Sequence, residues 1–250
     1  MKGLGRWLVL AVLATLGLQL YFVLHIAALA VVNPGSTAFQ RSEAWAQLRD
    51  KQAIRWRQEW VPYDQISDHL KRAVIASEDA DFIHHGGVEW DAIEKARLRN
   101  AQAEERAARK LAASSKKAPA SAAPVPSPKV VGGSTITQQL AKNLFLSGER
   151  TLLRKGQELV LTFALEQLLS KRRIMEIYLN SVEWGDGVFG AEAAAQHYFR
   201  KPAARLTPGE AARLAVMLPR PKYFEKLPQS GYLANRSATI AARMGQVAVP

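Results

Sequence analysis

The sequence predicts a mainly α-helical protein, one domain of helices carried on a single transmembrane helix, and three observations predict it. From Trp7 to Val32 no Asp, Glu, Lys or Arg interrupts an apolar run, and a helix of roughly 20 such residues crosses the hydrocarbon layer. Beyond it, apolar residues recur at helical spacing in one segment after another, while strand-like alternation is scarce. The 250 residues, less a membrane segment and a polar stretch, leave enough chain for one core rather than two.

Residues 1–6 form a short tail with Lys2 and Arg6, so the positive-inside rule puts this end in the cytoplasm and the chain beyond residue 32 outside. Ala28-Leu29-Ala30 also resembles a cleavage site, but the apolar run is longer than the 7 to 15 residues of a signal peptide. Residues 33–250 are then the extracytoplasmic domain. Asn33-Pro34-Gly35-Ser36 breaks the first helix, and Ser42 to Trp60 reads as a second, punctuated by Trp45, Leu48, Trp56 and Trp60 and stopped by Pro62. Ile66 to Glu78 reads as a third, with Leu70, Ala73 and Val74 on one face and Glu78 at its end. From about 101 to 128 the composition turns to Ala, Lys, Arg, Ser and Pro, which predicts a mobile insertion. Order returns at Gly132, with helices expected over Thr135–Leu146, Thr151–Ser170, Arg172–Asn180, Glu192–Phe199 and Pro208–Met217, and no internal repeat.

The formal charge of +12 suits a partner that carries phosphate, whether nucleic acid, anionic headgroups or a phosphorylated substrate. About a quarter of the Lys and Arg lie between Lys95 and Lys129, so part of that charge belongs to a solvated segment. There is no cysteine, which excludes disulfides, thiolate metal sites and thiol redox chemistry.

Three segments offer chemistry. Glu78, Asp79 and Asp81 crowd the end of an apolar helix face, where a carboxylate held against that face becomes a proton acceptor; a solvated acidic helix end is the plainer reading. His84 and His85 follow, but adjacent histidines lack the i, i+4 spacing of helical zinc ligands. Gly132 to Asn143 opens a helix behind a glycine pair and a cap-type Ser134, an arrangement that suits phosphate, although the nucleotide-loop spacing is missing. On the helix from Thr151, Arg154, Lys155, Glu158 and Thr162 share one arc of about 100°, while Leu152, Leu153, Leu159, Val160, Phe163 and Ala164 cover the other side. An ordinary ion-paired face is the alternative there.

Together these segments resemble the glycosyltransferase family of bacterial cell-wall synthesis, shared by monofunctional biosynthetic peptidoglycan transglycosylases and the N-terminal module of class A penicillin-binding proteins. The resemblance runs from Trp60 to about Phe224. It rests on Glu78-Asp79 with Phe82, His85 and Gly87, on Gly132 to Asn143, on Arg154-Lys155 with Glu158, on Lys171 to Asn180, and on Gly185 to Ala195. Neither a transpeptidase domain nor its serine motifs follow, so the likeness is to the monofunctional branch. It implies a lysozyme-like helical domain with a small membrane-proximal subdomain, lipid II and the growing lipid-linked strand as substrates, and a polyprenyl diphosphate leaving group. In that scheme Glu78 is the general base and Glu158 the second carboxylate, which assists the diphosphate directly or through a divalent cation, Mg2+ or Mn2+, with no organic cofactor. Lys142, Arg150 and Lys155 match cations that stabilise the diphosphate. Asp79, Phe82, His85, Ser134, Thr135, Gln138 and Gln139 match further substrate contacts. The expected setting is the plasma membrane, single-pass, with other cell-wall synthesis or division proteins as partners and no nucleic acid.

The insertion between Lys95 and Gly132 is longer than the family's usual loop, though no matched motif residue lies inside it. A lytic glycosidase of the lysozyme-like type and a non-catalytic scaffold that holds lipid II stay open as alternatives. The first has no need of cations aimed at a diphosphate, and the second has no need of Glu78.

Overall fold

The computed structural model describes residues 2–115, 133–146 and 151–250. Helix α1 (Lys2–Ala28) is the apolar N-terminal run, and from Gly3 to Ala28 it is long and apolar enough to cross a membrane. Its C-terminal end is built into the domain that follows. Ile26 and Leu29 are buried in the core, and Phe22 packs against it. Arg173 donates to the carbonyls of Leu29 (2.7 Å) and Val32 (3.0 Å), near the helix end, where carbonyls run out of helical partners.

Helix α2 (Ala38–Lys51) opens on a capping box between Thr37 and Gln40, and the Gln40 amide also donates to the buried carbonyl of Ser181 (3.1 Å). The single helix expected from Ser42 to Trp60 is corrected here. The helix stops at Lys51, Gln52 turns left-handed at φ 52°, and the chain runs extended into β1 (Arg57–Gln58). Arg57 and Gln58 pair in parallel with Val188 and Phe189, a partnership far away in sequence that local periodicity cannot register.

Helix α3 (Asp68–Glu78), capped by the Ser67 hydroxyl, buries Leu70, Ala73, Val74, Ile75 and Ala76. Helix α4 (Trp90–Ser115) overturns the expectation of a mobile stretch for residues 101–115, which continue it. Ala, Glu, Arg, Lys and Leu are strong helix formers, no Pro interrupts before Pro119, and Arg109 pairs with Glu105 one turn away (2.6 Å). The rest of that expected insertion, 116–128, lies outside the described residues.

Helices α5 (Ile136–Phe145), α6 (Leu152–Leu168) and α7 (Lys171–Ser181) follow, each started by a hydroxyl cap from Thr135, Thr151 or Ser170. Strands β2 (Glu183–Gly185) and β3 (Val188–Phe189) complete a small sheet of order β1-β3-β2, with β2 and β3 antiparallel. Helices α8 (Ala191–Phe199), α9 (Pro208–Met217), α10 (Pro221–Glu225) and α11 (Gly231–Arg243) close the chain. The buried alanines of α9, Ala211, Ala212 and Ala215, let α3 and α11 approach it closely, while α5 is held against α2, α6 and α7. Asn180 of α7 ties the chain after β1 to that helix, accepting from the Val61 N–H (2.9 Å) and donating to the Val61 carbonyl (3.0 Å).

The turn into β3 depends on Gly187, whose φ is +75° and whose absent Cβ would lie 2.1 Å from the Arg55 carbonyl oxygen. Gly187→Ala is therefore expected to lower the unfolding free energy by about 2–4 kcal/mol, through left-handed strain and a backbone clash together. Urea denaturation checks this, and a loss within about 0.5 kcal/mol would mean the turn relaxes freely.

Candidate active site

Helix α3 carries Glu78 to its last position, half-buried where the apolar face of the helix meets the start of a tight loop. Burial pushes its carboxyl above the usual range, and the Gln139 amide, which donates to Oε2 at 3.0 Å, only partly offsets this. Gln139 is held in turn by the Tyr178 hydroxyl, which donates to its Oε1 at 3.0 Å. The Asp79 charge adds to the rise in Glu78, and Arg236 of α11 opposes it.

Glu158 lies on α6 and is 4% exposed, although its helix carries five large apolar side chains in solvent. Arg154 donates to one carboxylate oxygen at 2.9 Å and Lys155 to the other. The arc of α6 that contains Glu158 and Thr162 thus faces the protein, and the apolar arc faces outward, with Leu152 at 92% and Leu153 at 89% exposure. Arg154 Nε is buried with no hydrogen-bond partner among the described residues, so a donor remains beside the buried carboxylate.

Helix α5 connects the two carboxylates. Gln139 bonds Glu78, and Lys142, one turn further along, feels the charges of Glu158, Arg154 and Lys155. Much of the Lys142 side chain is exposed, yet crowding by protein lowers the pKa of its ammonium, the two neighbouring cations adding to the effect and Glu158 opposing it. Three residues of helix advance about 4.5 Å, so both glutamates act on one short stretch of one helix. At the start of α5 a cleft of about 520 Å³ opens, lined by Gly133, Ser134, Gln138 and Lys155 on one side and by Ile93, Arg97, Asn100 and Glu104 of α4 on the other.

Several of the residues expected to touch a substrate are also engaged within the protein. The buried Asp79 carboxylate accepts from the Ile136 N–H at 2.9 Å and faces His85 Nε2 at 2.8 Å. His85 Nδ1 accepts from the Gly87 N–H, which leaves Nε2 as the donor to Asp79. Burial works against a charged imidazole there, but the Asp79 bond and charge outweigh it and raise the His85 pKa. Thr135 donates to the Gly87 carbonyl (2.6 Å) and forms a capping box with Gln138, and both side chains are buried. Phe82 is fully buried, with the Lys171 ammonium 4.5 Å above its ring. Asp79, Phe82, His85, Thr135 and Gln138 therefore clamp the loop after Glu78 onto α5, because polar atoms this buried need partners within the fold. Gly87 is part of the clamp: its φ is +91°, and a Cβ there would lie 2.7 Å from Thr162.

Asp79→Ala is expected to cost about 2–4 kcal/mol, since it leaves the Ile136 N–H and the His85 ring without their acceptor in a buried place. Equilibrium denaturation measures it, and Asp79→Asn should recover part of the loss.

Ser134 is exposed and lines the cleft, and Lys142 and Lys155 border the Glu158 side. Arg150 lies outside the described residues. Tyr178 and Arg236 were not among the expected site residues, and Arg154, placed near Glu158, was given no substrate role. For Arg154 the signal was its i, i+4 spacing to Glu158; for Tyr178 and Arg236 nothing local announced the contact. Among the described residues no three His, Cys, Asp or Glu side chains are grouped to hold a metal ion, and both Glu158 oxygens already accept from cations.

A helical domain in which one helix bonds a half-buried glutamate through Gln139 and, a turn on, sets Lys142 in the field of a second glutamate paired with Arg154 and Lys155 has an arrangement that suits acid–base chemistry beside an anionic group. The chain belongs to the transglycosylase family, whose model matches residues 43–109 and 117–245. It is 53% identical to a biosynthetic peptidoglycan transglycosylase of Burkholderia thailandensis, aligned over 100% of this chain and 90% of that protein. Proteins of the same name from Burkholderia pseudomallei and Paraburkholderia xenovorans are each 51% identical, over 100% and 99% of this chain and 90% and 92% of theirs.

Proposed function

We propose that the protein polymerises peptidoglycan glycan strands from lipid II by inverting glycosyl transfer. One observation carries the reading: on α5, Gln139 bonds a half-buried glutamate with a raised pKa, and Lys142, a turn along, feels the charge of a second glutamate that is held among cations. The acceptor sugar's 4-hydroxyl oxygen attacks C1 of the donor MurNAc, its proton passes to Glu78, and the C1–oxygen bond to the diphosphate breaks. Negative charge grows on the departing polyprenyl diphosphate, where Arg154, Lys155 and Lys142 stabilise it, and Glu158 holds the first two in place. A β-1,4 link results from an α-linked donor. Burial favours the neutral Glu78 carboxyl, which makes its carboxylate a stronger proton acceptor than a solvated one.

Among the described residues no second carboxylate joins Glu158 and both its oxygens already accept from cations, so these residues do not by themselves form a resident metal site. A divalent cation would arrive as the counter-ion of the diphosphate, and no step above runs through it. The apolar helix α1 is read as an anchor in the plasma membrane with the domain on the outer side, following Lys2 and Arg6. Exposed Leu152, Leu153, Val160 and Phe163, on the helix that packs beside α1, suit a face resting in the lipid interface, where the polyprenyl tail of the substrate resides.

Incubation of the full chain with labelled lipid II tests the reading. Growth of a glycan polymer is expected; degradation of finished glycan with no polymer formed would overturn it in favour of a lytic enzyme.

A further inference from the structure

The first two turns of α6 carry Arg154 and Lys155 and lead into Glu158, yet among the described residues few contacts from other elements hold them. The buried side chains of that helix begin at Glu158 itself and continue at Leu161, Thr162 and Leu165. Leu152 and Leu153 project into solvent, and Arg154 and Lys155 bond back to Glu158 on the same helix. Among the described residues, the hydrogen bonds from this stretch to another element are those of Gln157, and its partner is on the membrane-type helix. Gln19 Nε2 donates to Gln157 Oε1 at 2.9 Å, and Gln157 Nε2 donates back to Gln19 Oε1 at 3.2 Å.

This reciprocal pair is unusual in its setting. Gln19 is an amide inside the apolar run of α1, where a polar side chain without a partner is costly and one that is paired fixes the facing helix. The same helix is pinned further along. Phe22 and His25 meet the ring of Phe145 at the end of α5 (5.5 and 5.3 Å between centroids), and Ile26 is fully buried. Helix α1 therefore touches both helices that bear the diphosphate-side cations, α5 near Lys142 and α6 next to Glu158.

We propose that Gln19 and Gln157 act as a positioning pin: the membrane helix sets the rotation of α6 so that Glu158, Arg154 and Lys155 lie beside Lys142 of α5. The apolar anchor is then a structural part of the donor side rather than a tether. This rests on the glycosyltransferase reading above, with Gln19 and Gln157 acting through Glu158 rather than on substrate.

The test uses the full chain in lipid nanodiscs with labelled lipid II. Gln19→Leu makes the anchor more apolar, so it cannot act by weakening membrane insertion. It and Gln157→Leu are each expected to lower kcat about 10-fold or more with KM little changed, as a small misplacement of charged groups would. Because the chain has no cysteine, a Gln19→Cys/Gln157→Cys protein can be joined specifically by a short bis-maleimide. The joined form should recover most of the kcat that the unjoined form lacks, a gain that a purely structural role in insertion would not produce. Wild-type kcat in both leucine variants, or no recovery on joining, overturns the pin. Absence of polymer from the wild-type chain would instead count against the glycosyltransferase reading and is read separately.

Discussion

Glu78→Gln is expected to lower kcat for lipid II polymerisation by about 10²–10⁴-fold, the range for loss of a positioned general base, while the protein folds at least as well as before. Gln keeps an acceptor for the Gln139 amide and fills the same space. The sign of the stability change follows from the raised pKa. Glu78 binds its proton more tightly folded than unfolded, so its contribution is fully present at acidic pH and is lost as pH rises through the folded value. At neutral pH the buried carboxylate costs the fold something, and the neutral amide does not. An unfolding temperature equal to or above wild type, together with near-complete loss of polymer, is the expected pair of results. In the active protein kcat/KM should fall as pH drops through the same raised value, because only the carboxylate accepts the proton. A variant that loses activity because it unfolds earlier would remove Glu78 from the mechanism.

Glu158→Gln is expected to lower kcat by about 10²–10³-fold, comparable to losing one element of a preorganised charge array. The neutral side chain can still accept from one cation but no longer holds both Arg154 and Lys155. Lys155 is half in solvent but Arg154 is largely buried against Glu158, so the stability cost should be about 1–3 kcal/mol, less than for a fully buried pair. Single-turnover kinetics separate the effect: the chemical step should slow while donor binding weakens much less. Equal loss in binding and chemistry would assign Glu158 to holding the substrate alone.

Helices whose stop and start signals are local were legible from the sequence. Helix α9 runs from Pro208 to Met217 as expected, and α5, α6 and α7 begin within a residue of the predicted starts, because Thr135, Thr151 and Ser170 cap them. The apolar run of α1 needed nothing beyond its composition. Elements held mainly by distant partners were not legible. Helix α11 carries one each of Gly, Asn, Ser and Thr, which dilute the helical signal of its four Ala, and it packs on α9 and α3 through Leu233 and Ile240. Strand β1 depends on β3, and the helical course of residues 101–115 was hidden by the Lys- and Pro-rich stretch that follows.

The candidate site divides in the same way. Residue type and spacing alone marked Glu78 and Glu158 as carboxylates of interest and Arg154 and Lys155 as cations within reach of the second, since i, i+3 and i, i+4 neighbours on a helix meet whatever the rest of the chain does. Only the tertiary structure decided which of the marked residues face one another and which are spent on holding the loop. It turned Asp79, His85, Thr135 and Gln138 inward, set Tyr178 behind Gln139, exposed Leu152 and Leu153 of α6 and buried Glu158. Those outcomes depend on which surfaces each helix hides against the others, a quantity that arises only when the helices pack and that the order of residues along any one of them does not contain.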